Sequence, residues 1–326
     1  MSINLLNQNM RNIFLAIACL CCGWAHAADY PQRPITLIVP FAPGGGTDSI
    51  ARDLAKTLSE RLGQTVIIDN KGGGGGAIGA TVTSKSEPDG YTLLFVTSTF
   101  VTHAATETNL SYDIEKDFAP IAMIGKGPLM VVANKSLGIK TISELIQYAN
   151  QSPDGLNYCS AGQGSINHLA GELFKQKTGI KLTHIPYKGS GPATIDLLAG
   201  RVQIFFATIP TILQYVETDR VSLIAMTSDK RSPLFPKVPT VAESGISGFN
   251  IGTWWGVVAP AGTPEVIVKK LNEQINYAST KDPLKTRLSK EGAQPYNLSP
   301  IEVQKLLADE LKTWKNVIKA SAIKIE

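Results

Sequence analysis

The sequence predicts an α/β protein of two lobes, each a mostly parallel sheet flanked by helices, with a ligand cleft between them. Three observations point that way. Short apolar or β-branched runs alternate with helical patterns, one half of the alternation repeats in the other, and each half holds a glycine-rich loop leading from a strand into a helix.

The alternation can be followed along the chain. Apolar and β-branched runs predict strands over residues 35–41, 66–69, 92–96, 120–124, 129–133, 156–160, 181–185, 204–207, 221–227 and 253–259. Apolar positions at helical spacing predict helices over 49–62, 77–85, 142–150, 167–177, 192–199 and 211–216. Beyond residue 259 the pattern is helical. Pro264 suits the first turn of a helix reaching to about Ser279, and Asp282 opens a short one. The last helix, over 300–320, aligns Val303, Leu306, Leu307, Leu311, Trp314 and Ile318 along one face.

The repeat sets the domain layout. Leu54-Ala55-x-x-Leu58, Gly63, Val66 and Lys71-Gly72-Gly73-Gly74 recur as Leu169-Ala170-x-x-Leu173, Gly179, Leu182 and Lys188-Gly189-Ser190-Gly191. The offset is 115 residues at the start and 117 at the end. Carried further, the match sets Leu94-Phe95-Val96 against Ile204-Phe205-Phe206 and Ser98 against Thr208. Residues 125–239 therefore form a second domain, crossover segments included. Strand 253–259 and the terminal helices have no counterpart in the repeat and return to the first domain, which comprises 29–124 and 240–326.

The N-terminus carries an export signal. Arg11 is the only charged side chain before Asp29, residues 13–22 are apolar, and Ala25-His26-Ala27 is a small-x-small cleavage site. That is the layout of a secretory signal peptide over 1–27, with an apolar run too short to span a bilayer. A lipoprotein signal would need cleavage before Cys19, where Leu15-Ala16-Ile17-Ala18 fits a lipobox poorly. Cleavage near Ala27 implies a periplasmic protein and leaves Cys159 without a partner for an internal disulfide. The 326 residues include 31 Lys and Arg against 27 Asp and Glu. This small, evenly spread excess gives no sign of a nucleic-acid or membrane-surface partner, and a soluble monomer is expected.

The glycine loops suggest the chemistry. Phe41-Ala42-Pro43-Gly44-Gly45-Gly46-Thr47-Asp48 leaves backbone N–H groups unpaired at a helix start, where the helix dipole adds positive potential. The loop holds no lysine or arginine, so an anion there is held by amides and hydroxyls, which suits a small carboxylate. Ala161-Gly162-Gln163-Gly164-Ser165 is the matching loop of the second unit. Candidate ligand contacts are Phe41, Pro43, Gly44, Gly45 and Thr47 in the first loop and Ala161, Gly162, Gly164 and Ser165 in the second. Asp48 either caps the helix or orders the loop. Ser98, Thr99 and Thr208 follow strands where a cleft opens, although ordinary helix capping needs the same residue types. His168 is either a ligand contact or a satisfied core histidine. Of Trp254 and Trp255, strand alternation buries one and points the other toward the cleft. Cys159 reads as a small buried hydrophobe.

Enzyme motifs fail. Gly74-Gly75-Gly76-Ala77-Ile78-Gly79 matches G-x-G-x-x-G only because it lies in a glycine run, and it has no acidic residue ending the next strand. There is no phosphate-loop lysine, no G-x-S-x-G, and no metal-ligand spacing among His103, His168 and His184. No catalytic residue, metal or cofactor is expected. Three readings remain: a carboxylate-binding transport protein, a secreted bilobal enzyme acting on a small carboxylated substrate, and a ligand sensor for a membrane receptor.

The stretch Val39-Pro40-Phe41-Ala42-Pro43-Gly44-Gly45-Gly46-Thr47-Asp48 resembles the signature of the Bug (Bordetella uptake gene) family. These are the periplasmic substrate-binding components of tripartite tricarboxylate transporters. The likeness continues through Asn70-Lys71-Gly72-Gly73, Pro88-Asp89-Gly90-Tyr91-Thr92, residues 158–165 with His168-Leu169, Pro186-Tyr187-Lys188-Gly189 and residues 255–264. It runs in order through essentially all of the mature chain. The resemblance implies a type II-like periplasmic binding protein fold that closes on a carboxylated small molecule and delivers it to membrane permease subunits. The glycine run after Lys71 is longer here than the family usually shows.

Overall fold

The computed structural model describes residues 30–107, 109–290 and 292–320; the signal segment over 1–27 lies outside the described residues. In chain order the first unit is β1 (Ile35–Val39), α1 (Gly46–Leu62), β2 (Val66–Asn70), a 3-10 turn (Gly74–Gly76), α2 (Ala77–Ser84) and β3 (Thr92–Thr97). Then come α3 (Ser98–Thr106), the long β4 (Phe118–Asn134) and α4 (Ile142–Gln151). The second unit is β5 (Leu156–Ser160), α5 (Ile166–Thr178), β6 (Leu182–Pro186), α6 (Ser190–Leu198) and β7 (Ile204–Thr208). It is followed by α7 (Ile209–Glu217), β8 (Val221–Met226) and β9 (Gly252–Pro260). The chain ends with α8 (Glu265–Ser279), α9 (Leu284–Lys290), β10 (Gln294–Pro295) and α10 (Pro300–Ala320).

The sequence repeat is a repeat of strand order. β2 and β3 flank β1 as parallel neighbours, and β6 and β7 flank β5 in the same way. Among the described residues, antiparallel pairs enter only with the strands outside the repeat, namely β9 on β3, and β7, β8, β9 and β10 on β4. Each lobe buries apolar side chains on both faces of its sheet. In the first, Leu37, Phe95 and Trp255 meet α1 and α8, while Ile38, Leu94 and Trp254 meet α2, α3 and α10. In the second, Tyr158 and Phe206 pack with α4 and α5, while Cys159 and Phe205 face α6 and α7. Among the described residues, no helix is long and apolar enough to cross a membrane.

Three expectations are corrected. Residues 120–124 and 129–133 belong to one strand, β4, and the break suggested by Gly125-Lys126-Gly127-Pro128 is a change of partner. Up to Pro128 the strand pairs with β9, and from Leu129 it pairs with β7 and β8. Residues 240–251 belong with the second lobe, because Val241, Ile246, Phe249 and Ile251 pack into the core that holds Leu145 and Phe174. The chain crosses back at Gly252, which pairs with Pro128. Both crossings therefore lie side by side on paired strands. Finally, α3 had no predicted helical pattern. Its sequence, Ser-Thr-Phe-Val-Thr-His-Ala-Ala-Thr, is rich in β-branched residues of modest helix propensity, and packing against α10 and the glycine turn supports it.

Candidate functional site

The carboxyl ends of β1 and β3 face those of β5 and β7 across a narrow cavity lined by both lobes. Phe41, Ala42, Gly45, Gly46, Thr47, Asp48, Thr97, Thr99 and Thr253 line it from the first lobe, and Ala161, Ile166, Asn167, Ser190 and Thr208 from the second. The N-termini of α1 and α5 both open onto this space, so two sets of helix-start amides and two dipole ends converge there. Among the described residues, neither lysine nor arginine lines it.

Among the described residues, Asp48 is the one charged side chain on the wall, and its oxygens are already engaged. Oδ2 accepts from the Gly44 amide at 3.2 Å and from Arg52 Nε at 2.9 Å, and Oδ1 accepts from Asn70 Nδ2 at 2.9 Å. Asn70 Nδ2 also donates to the Phe41 carbonyl at 3.1 Å. Burial alone would raise this carboxyl; the hydrogen bonds from Arg52, Asn70 and Gly44 overcome it and hold the group below the usual range. Gly45 occupies the N-cap position, so of the two readings of Asp48 the geometry fits loop ordering. Its charge is offset by Arg52, which leaves the cavity without a net negative wall.

The second loop is braced from behind by histidines. Ser165 caps α5, its Oγ accepting from the His168 amide at 3.3 Å. His168 Nδ1 accepts from the Gly164 amide at 3.1 Å, and its ring stacks on His184 with centroids 3.8 Å apart. Ser160 Oγ accepts from the Gly162 amide at 3.1 Å and lies 2.6 Å from His184 Nε2. Burial pushes both imidazoles down, to about 4 for His168 and about 3 for His184, so both rings are neutral and His168 Nδ1 is free to accept.

The lobes touch around the cavity. The Ala42 amide donates to the Lys188 carbonyl at 3.1 Å, Gly46 to Thr211 Oγ1 at 3.1 Å, and Ile166 to Thr99 Oγ1 at 3.3 Å. Thr102 Oγ1 donates to the Gly164 carbonyl at 2.7 Å. These hydrogen bonds across the cleft describe a closed arrangement.

Of the candidates read from sequence, Phe41, Gly45, Thr47, Asp48, Thr99, Ala161 and Thr208 stand on the cavity wall. Pro43, Gly44, Gly162, Gly164, Ser98, Ser165 and His168 do not. Gly44 is held by Asp48, Gly164 by His168, and Ser165 by its capping role. Gly162 lies against Gly75 and the Tyr187 carbonyl, and the Pro43 carbonyl against Gly191. Ser98 Oγ meets Thr253 Oγ1 at 2.9 Å, leaving Thr97 as the wall residue. The repeat match was one residue out at this point, since the N-caps are Thr97 and Thr208. Sequence reasoning also missed Thr253, Ile166, Asn167 and Ser190; the cap position shared with Thr208 was a signal for Thr97 alone. Neither tryptophan reaches the cavity: Trp255 is in the first core, and Trp254 Nε1 donates to Glu310 at 2.8 Å. No group of metal-ligating side chains occurs among the described residues.

Residues 50–323 match the model of the tripartite tricarboxylate transporter family receptor. The chain belongs to this family. It is 37% identical over 316 residues to the BugT protein of Bordetella pertussis (strain Tohama I), covering 96% of this chain and 97% of that one. The solved periplasmic binding protein BugD matches with a TM-score of 0.87 at 35% identity, over 90% of this chain and 99% of that one. The structure of R. palustris Rpa4515 with adipate also gives 0.87, at 37% identity over 90% and 99%. Receptors of this family are periplasmic solute-binding proteins and not enzymes, and the two-lobed α/β fold described above is theirs.

Proposed function

We propose that this receptor captures a small carboxylate in the cavity between its lobes, in the periplasm after loss of the signal segment, and delivers it to membrane permease subunits. The observation that carries this reading is the meeting of two helix N-termini in one cavity rich in threonine and serine hydroxyls, where the one charged side chain among the described residues, Asp48, is already paired. Such a site offers hydrogen-bond donors to an anion and no acid–base pair for chemistry. The adipate bound to the related Rpa4515 supports the ligand class.

A thermal-shift screen of carboxylates, adipate included, tests it. A ligand at 100 times its dissociation constant should add about 2.7 kcal/mol of stability. The rise should vanish with the corresponding amides, which keep the shape but lose the charge. Equal stabilisation by acid and amide, or a bound structure with the carboxylate clamped by arginine, would overturn the proposal.

A further inference from the structure

We propose that His103, a residue outside the cavity wall, positions the second ligand loop against the first lobe on closure, and that only its neutral ring permits the lobes to close. This inference rests on the lobe closure invoked above.

The His103 ring sits between glycines from the two sides of the cleft. A Cβ on Gly75 of the first lobe would overlap ring Cδ2 and lie 2.7 Å from Nε2. A Cβ on Gly164 of the second lobe would lie 2.9 Å from the same Cδ2. Both glycines adopt left-handed backbone, with φ of 60° and 70°, so each needs glycine for conformation as well as for space. The preceding residue, Thr102, donates to the Gly164 carbonyl, so two consecutive residues of α3 grip one peptide of the ligand loop. From the far side, the Gly164 amide is held by His168.

His103 is 4% exposed, and its Nδ1 is buried with no hydrogen-bond partner among the described residues. An imidazolium here would carry a second N–H with no acceptor and would have lost its water. When the lobes part, Gly164 leaves with the second lobe and the ring regains solvent. A proton on His103 therefore favours the open form. In the closed form, burial holds the imidazole below its ordinary range, and Glu107, one turn along α3, partly offsets it. The glycine turn, the loop over 161–165 and β9 bring no titratable side chain to it. α5 brings His168, which is neutral, and α10 brings Glu310, bound to Trp254, and Lys315, which shares a surface groove with Glu107.

The sign follows from linkage. Closure is fully supported above the ordinary histidine value of about 6.5 and weakens as pH falls through it. One proton limits the loss of ligand affinity to about tenfold per pH unit.

A ligand-free test uses a lock. A Cβ on Gly45 would lie 3.8 Å from Ser190 Cβ, so Gly45→Cys with Ser190→Cys should form a disulfide that holds the lobes closed. The His103 resonance, assigned by its loss in His103→Gln, is titrated by NMR in the oxidised and reduced forms. The expected midpoint is lower in the oxidised form, where burial disfavours the charged ring. Equal midpoints would overturn the proposal, and so would failure of the disulfide to form, because the closed geometry would then be wrong. Adipate calorimetry supplies the functional arm. The ratio of unmodified to His103→Gln affinity should be flat above pH 7 and fall below about 6.5. A ratio independent of pH would reduce His103 to packing. Adipate binding to neither protein would count against the carboxylate reading and leave the lock to decide this one.

Discussion

At Gly46 the first lobe touches the second. A Cβ there would lie 2.6 Å from Pro210 Cβ and 2.8 Å from the Thr211 nitrogen, both on the opposite lobe. Gly46 opens α1, where alanine fits the helix at least as well as glycine. Gly46→Ala should therefore leave unfolding of the ligand-free protein unchanged or slightly improved, while lowering carboxylate affinity about tenfold or more, a loss of 1.4 kcal/mol. Gly171 makes the contrast, since its Cβ would overlap the Tyr158 ring within one lobe. Gly171→Ala should lower stability by about 1–3 kcal/mol whether or not ligand is present. Calorimetry and urea unfolding of the two variants check this; a Gly46→Ala protein with full affinity would show that the lobes do not close as described. In both cases a glycine is visible in the sequence, but the atom that demands it lies elsewhere in the chain.

Helix α3 illustrates what one element requires. Thr97 caps it, its Oγ1 accepting from the Thr99 amide at 3.2 Å, and Thr97 also stands on the cavity wall. Thr97→Ala should cost about 1 kcal/mol of stability, read from urea unfolding, and weaken carboxylate binding, whereas Thr97→Ser should retain most of both. Loss of binding with no loss of stability would remove the capping role. The helix escaped sequence reading because its nine residues carry β-branched threonine and valine, and its support comes from α10, about two hundred positions later. By contrast, α10 itself was legible, since its apolar face recurs at helical spacing within one short window.

For the whole molecule, the buried histidine pair predicts a pH profile of stability. His168 and His184 are depressed in the fold to about 4 and about 3, while unfolding restores an ordinary value of about 6.5. Their contribution is fully present above pH 6.5 and is lost as pH falls toward their folded values, because the unfolded chain then binds protons that the native state refuses. Each histidine can remove up to about 1.4 kcal/mol per pH unit in that interval. Urea unfolding at pH 7.5, 6.5 and 5.5 should show a decline below 6.5 that His184→Asn reduces. Identical stability at the extremes would mean that the rings are not held neutral. This profile concerns the second lobe alone and is separate from closure.

By itself the sequence determined the repeated strand–helix units, the two helix-start loops, the want of cations in the first loop and the family. All of these are written in windows of a few residues, where periodicity, glycine runs and charge are local properties. Only the tertiary structure decided that Thr97 and not Ser98 faces the cavity, and that Thr253 joins it from a distant strand. It alone turned His168 behind the loop, carried β4 through Pro128 into a second sheet, and kept residues 241–251 in the second lobe until Gly252. Each of those outcomes depends on a partner far along the chain, such as His184 stacked on His168 or β9 paired with β4, and the residue's own neighbours do not record it.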